Sequence, residues 1–187
     1  MKIVILMAIL IGTCSARAQD VFSNKTNTAL EKVIRDFPNR FKNIKGELLA
    51  DHTHTAQYRS SIQVPGSMCT VTRYQVSNSD AYSWNCMAYE SRDFAMAKAK
   101  FKEIFEQIQN TIIKLDGEKP FIVSGQYKAP FEDKKLTVIG FDLLPAVGEM
   151  QKVRVELKIQ NVSSSWRVAL EVFDNSLKDD LSTAINN

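Results

Sequence analysis

The chain has 187 residues, with 24 Lys+Arg against 21 Asp+Glu and only 2 His, 3 Cys and 7 Gly. A hydrophobic fraction of 44% and a charged fraction of 24% exclude a disordered tail, a collagen-like chain and a disulfide-dense mini-protein. Net charge +3 is too small for a nucleic-acid footprint, and so few His and Gly leave little material for a metal cage or a phosphate loop.

Residues 1–18 read MKIVILMAILIGTCSARA. One positive charge at Lys2 precedes an apolar run from Ile3 to Ile11, and Ala16 and Ala18 form an A-x-A cleavage pattern before Gln19. The run is too short to cross a bilayer of roughly 30 Å as a helix. It predicts a secretory signal peptide over 1–18, hence a periplasmic or secreted protein with no transmembrane segment in the mature chain. The competing reading is lipidation at Cys14. Removing Lys2 and Arg17 takes the basic count from 24 to 22 against 21 acids, a net +1.

The spacing of Leu30, Val33, Ile34, Phe37, Phe41 and Ile44 predicts a first helix, with Thr26, Asn27 or Thr28 as cap and Gly46 as stop. Pro38 should break or kink it near Asp36–Phe37. Asp51-His52-Thr53-His54 follows; an H-x-H pair on a strand puts both imidazoles on one face, where a metal could be held. There is no third His. An exposed polar connection explains the cluster equally well.

Period-two patterns predict strands over Thr55–Val64, Met68–Val76 and Ala81–Glu90. If Val76 pairs with Ser79 around a Ser77-Asn78 turn, Val71 falls opposite Trp84 and Cys69 opposite Cys86. In an oxidising compartment that register predicts a Cys69–Cys86 disulfide. Phe94, Ala97, Phe101, Ile104, Phe105, Ile108, Ile112 and Leu115 then predict a second helix, capped by Ser91 and ended by Gly117. Strands are expected over Phe121–Tyr127, Lys135–Leu143, Lys152–Gln160 and Ser165–Phe173, and a short final helix through Leu177, Leu181 and Ile185.

The two helices align at a constant offset, and each precedes three or four strands. The expected fold is therefore α+β: tandem helix-plus-antiparallel-sheet repeats, 26–90 and 91–174, packed as one unit within a single mature domain over 19–187. This plan is similar to that of secreted protease- and β-lactamase-inhibitor proteins. The likeness is one of organisation, so it implies no site residues and no activity.

Motifs for nucleophilic or phosphate chemistry are absent: no G-x-S-x-G, S-x-x-K, Walker loop, G-x-G-x-x-G or H-E-x-x-H occurs. No catalytic or cofactor-binding residue is assigned, and no cofactor is expected. Leu144-Pro145-Ala146-Val147 is apolar where a loop should be polar, and Tyr82 and Trp84 share a strand face. Leu144, Pro145, Val147, Tyr82 and Trp84 are thus the candidate contact patch. The expected function is a non-enzymatic exported binding module for a protein or envelope ligand, with no nucleic-acid partner. Two alternatives stand beside it: a carrier of a hydrophobic small molecule, and a metal-assisted hydrolase organised around His52 and His54.

Overall fold

A computed structural model describes residues 25–76 and 79–175. The expected leader with Cys14, the Ser77-Asn78 turn and the expected helix through Leu177, Leu181 and Ile185 lie outside the described residues.

Helix α1 spans Lys25–Asp36 and buries Ala29, Leu30, Val33 and Ile34 along one face. Thr26, Asn27 and Thr28 sit inside its first turn rather than capping it. Pro38 stops the helix as expected, through a 3-10 turn at Phe37–Asn39. Arg40 and Phe41 then take left-handed backbone angles. The Asp36 carboxylate fastens this turn, accepting from Asn39 Nδ2 at 3.0 Å, Asn43 N at 3.0 Å and Asn43 Nδ2 at 2.6 Å. Gly46 does not end a helix. It lies in strand β1 (Lys45–Asp51), where a Cβ would come within 2.9 Å of the Arg59 carbonyl oxygen across a register shift.

Strands β2 (Thr55–Ser60), β3 (Met68–Val76) and β4 (Ser79–Ser91) complete the first meander. Helix α2 runs over Phe94–Ile108 and is capped by Asp93, not Ser91. The Asp93 carboxylate accepts from Ala95 N at 2.7 Å and Met96 N at 3.2 Å. The helix stops well before Gly117, because Asn110 turns left-handed (φ 65°) and Ile112–Ile113 form the short strand β5. The remaining strands are β6 (Phe121–Gly125), β7 (Leu136–Leu144), β8 (Val153–Val162) and β9 (Ser165–Asp174).

The nine strands of the described residues form one antiparallel sheet in the order β1-β2-β3-β4-β9-β8-β7-β6-β5. The expected α+β class of tandem repeats is therefore overturned. The described residues form a β-rich fold, two short helices against one continuous sheet. Helical spacing misleads at two places. Chain counted as the tails of the helices, Lys45–Gly46 and Ile112–Ile113, belongs instead to edge strands. Four strands follow α1 and five follow α2.

Both helices cover one face. Beneath them lie Val71, Trp84, Cys86, Val172, Leu170, Leu157 and Phe141, with Phe101 and Ile104 from α2. The β3–β4 register is the expected one: Val76 pairs with Ser79, Val71 with Trp84 and Cys69 with Cys86. The Cys69–Cys86 disulfide is present, with Cα atoms 4.0 Å apart. Alternation along each strand leaves the opposite sheet face without a helix among the described residues.

Candidate functional site

His52 and His54 sit at the tip of the β1–β2 hairpin. His52 N donates to Thr55 O at 2.8 Å and Thr55 N to His52 O at 3.3 Å, closing a tight turn with both imidazoles exposed. Among the described residues no group of three His, Cys, Asp or Glu side chains converges to hold a metal. The tip is a solvated turn.

The five contact-patch candidates separate. Trp84 has no surface to offer, being wholly buried between Val71 of β3 and Val172 of β9. Its Nε1 donates to Ser60 Oγ at 3.1 Å. Tyr82 is half-buried beside a cleft of about 250 Å³ with Arg40, Asp80 and Lys152. Burial, then the Asp80 charge, pushes its phenol above the usual range. No open aromatic platform forms from the neighbouring tyrosines either: Lys45 Nζ lies 4.5 Å over the Tyr58 ring of β2, and Tyr127, which the expected strand included, lies beyond the end of β6 and packs tilted at 5.0 Å against Phe105.

Leu144, the last residue of β7, and Pro145 and Val147 in the loop after it stay at the surface. Leu144 does not stand alone. It pairs in register with Ile122 of β6, and Ile122 pairs with Ile112 of β5. Their neighbours Leu143, Val123 and Ile113 point into the core, so these three side chains share the uncovered face. Their exposures are 48%, 44% and 54%, and Val147 is 49% exposed. Opposed residues on adjacent strands have Cβ atoms about 5 Å apart. The row is therefore a continuous aliphatic ridge across three strands at one corner of the sheet.

On the helix side of the same loop, Val147 lines a cleft of about 560 Å³ with Arg35, Pro38, Leu115, Phe121 and Met150. Asp116, Glu118 and Glu149 also line it. Its lining mixes these charges with the apolar Pro38, Leu115, Phe121, Val147 and Met150. The loop thus separates an aliphatic ridge from a mixed cleft. Sequence reasoning finds Leu144 and Val147 but misses Ile112 and Ile122. Ile112 keeps helical spacing with Ile108 and so reads as α2 core. For Ile122 the signal is available: with Phe121 and Val123 facing inward, it must face out.

The centre of the uncovered face carries a ladder of charge. Glu156 of β8 lies directly opposite Glu171 of β9, and Glu156 is only 5% exposed. Lys158 Nζ lies 3.2 Å from Glu156 Oε2 and also pairs with Glu171. Arg154 bonds Asp142 Oδ1 at 2.5 Å and lies over Gly140, where any side chain would collide with its guanidinium. Lys158 touches both carboxylates, and Arg154 Nε lies 4.0 Å from Glu156 Oε1, so the two facing acids are held together by cations from the same strand.

Burial works against the Lys158 ammonium, but Glu171 and Glu156 together outweigh it and hold its pKa above the usual lysine value of 10.5. Burial acts the other way on the Tyr74 phenol of this face, raising its pKa above the usual tyrosine value. A group whose pKa is raised on folding binds its proton more tightly in the folded chain. Its contribution is complete below the unfolded value and drains away as pH rises through the folded one. The urea-unfolding midpoint should therefore fall as pH climbs past about 10 and upward, and Lys158→Met should shallow that fall. A midpoint unchanged from neutral to strongly alkaline solution contradicts this.

No family model matches the chain, and comparison with curated proteins and with solved structures likewise gave no match.

Proposed function

We propose that this protein is an exported, non-enzymatic binding module that grips an apolar protein surface with the corner formed by β5, β6 and β7. The observation that carries the reading is the register-aligned ridge Ile112–Ile122–Leu144, left uncovered on the open face, with Val147 exposed on the other side of the adjoining loop. Exposed apolar side chains that are contiguous, not scattered, are what protein contact sites present. Export is supported by the A-x-A leader pattern and by a disulfide suited to an oxidising compartment.

Burying the remaining exposed half of each aliphatic side chain contributes roughly 1 kcal/mol, so the ridge and Val147 supply about half of a micromolar affinity. The corner is a hot spot, and surrounding polar contacts must supply the remainder. The test is photo-crosslinking from position 144 in the exporting host, followed by calorimetry with the purified partner. Leu144→Ser combined with Val147→Ser should weaken binding by about tenfold to a hundredfold with an unchanged far-ultraviolet spectrum. Equal affinity of the variant and the parent overturns the reading.

A further inference from the structure

The opposite end of the sheet carries a different surface. The segment between β6 and β7 turns inward at Pro130, which is buried, and throws Phe131 outward at 57% exposure. Lys134 N donates to Phe131 O at 3.1 Å and closes the tip as a turn. Asn161 N of β8 donates to Lys135 O at 2.8 Å and ties the tip's base to the sheet. The phenyl ring therefore projects from a turn that is braced against the sheet.

What surrounds the ring is cationic. Lys98 Nζ from α2 and Lys134 Nζ each lie 5.9 Å from the Phe131 ring centroid. Lys98 also lies 5.8 Å from Phe94, whose ring packs at 4.7 Å on Trp166. Lys128 and Lys135 are exposed on the same segment. None of these four lysines is paired with a carboxylate among the described residues. Two exposed acids, Glu132 and Asp133, interrupt them, leaving the tip with a local excess of positive charge.

The geometry points to an anionic lipid surface as the occupant of this tip, with Phe131 entering the interface and Lys98 and Lys134 resting among the headgroups. A projecting ring flanked by two ammoniums matches a surface that carries diffuse negative charge over apolar depth. A bilayer supplies both things the tip lacks: diffuse negative charge at its surface and apolar depth beneath. The arrangement leaves the other corner accessible. Phe131 precedes the start of β7 and Leu144 ends it, and nine strand residues extend roughly 27 Å. The protein would then lie on a membrane by one end and hold its partner by the other.

The test is co-sedimentation of the exported protein with vesicles of phosphatidylglycerol and phosphatidylcholine in equal parts, beside vesicles of phosphatidylcholine alone. Binding to the mixed vesicles only, weakening with salt, is expected. Phe131→Ser should lower the partition coefficient about tenfold. Lys98→Gln with Lys134→Gln should also lower it and flatten its salt dependence. All three positions are at the surface or partly so, and thermal unfolding should be unchanged in the variants. Absence of binding to the anionic vesicles overturns the inference. So does wild-type partitioning by Phe131→Ser. Retention on polyglutamate that matches vesicle binding and ignores Phe131 would assign the tip to an acidic protein instead, and equally overturns it.

Discussion

Trp84→Ala is expected to cost about 3–5 kcal/mol of folding stability, the largest loss of any single substitution considered. The indole is wholly buried and spans the junction at which the two meanders meet. It lies opposite Val71 on one side and Val172 on the other, so its removal opens a cavity across the β3–β4 and β4–β9 seams together. It also removes one of the three hydrogen bonds of a buried hydroxyl. Ser60 Oγ accepts from Trp84 Nε1 at 3.1 Å and from Ile62 N at 3.1 Å, and donates to Ile62 O at 2.9 Å. Every hydrogen-bonding position of that hydroxyl is in use. Trp84→Phe keeps most of the ring and loses the indole donor, so it should cost less, by about 1 kcal/mol for the bond itself. A domain stable by about 5–15 kcal/mol loses a large share in the alanine variant. Urea unfolding followed by circular dichroism measures it. A loss below about 1 kcal/mol would contradict the packing described.

The second large effect is at the disulfide. Cys69→Ala with Cys86→Ala should destabilise by about 3 kcal/mol, from the chain entropy released when the bridge is removed. The two half-cystines are 17 residues apart in sequence and both wholly buried. The bridge ties β3 to β4 next to Val71 and Trp84, so its loss loosens the half of the sheet that carries the His52–His54 turn. The β5–β7 corner lies across β9 and β8 from it. Partner binding by the double variant should therefore persist wherever the chain remains folded. Equal unfolding midpoints for the variant and the oxidised parent would contradict the stabilising role.

The β3–β4 hairpin is legible residue by residue because period-two alternation, a short polar turn and two cysteines all select one register. The last two strands are legible for the same reason, with Val153, Val155, Leu157 and Ile159 set against polar neighbours. What escapes the sequence is the closure of the sheet. Nothing local tells β4 to pair with β9, since that contact joins residues about eighty positions apart and depends on both faces being apolar. The edges escape too. Lys45–Asp51 places Leu48 and Leu49 side by side without alternation, and a register shift accommodates them. Ile112 satisfies a helical period and a strand period equally, and only the left-handed Asn110 decides between them.

The site divides along the same line. An apolar loop such as Leu144–Val147 announces itself by composition. The ridge beside it depends on register across three strands, which no single segment contains. Trp84 shows the converse: an aromatic residue on an alternating strand gives no local sign of which face is covered.

The most direct test of the proposed contact corner is hydrogen exchange on the purified protein, with and without a partner captured by crosslinking from position 144. Binding should slow exchange over residues 111–124 and 142–150 and leave the 51–55 turn unchanged. Protection of the His52–His54 turn, with the β5–β7 corner exchanging as in the free protein, would contradict the proposed contact.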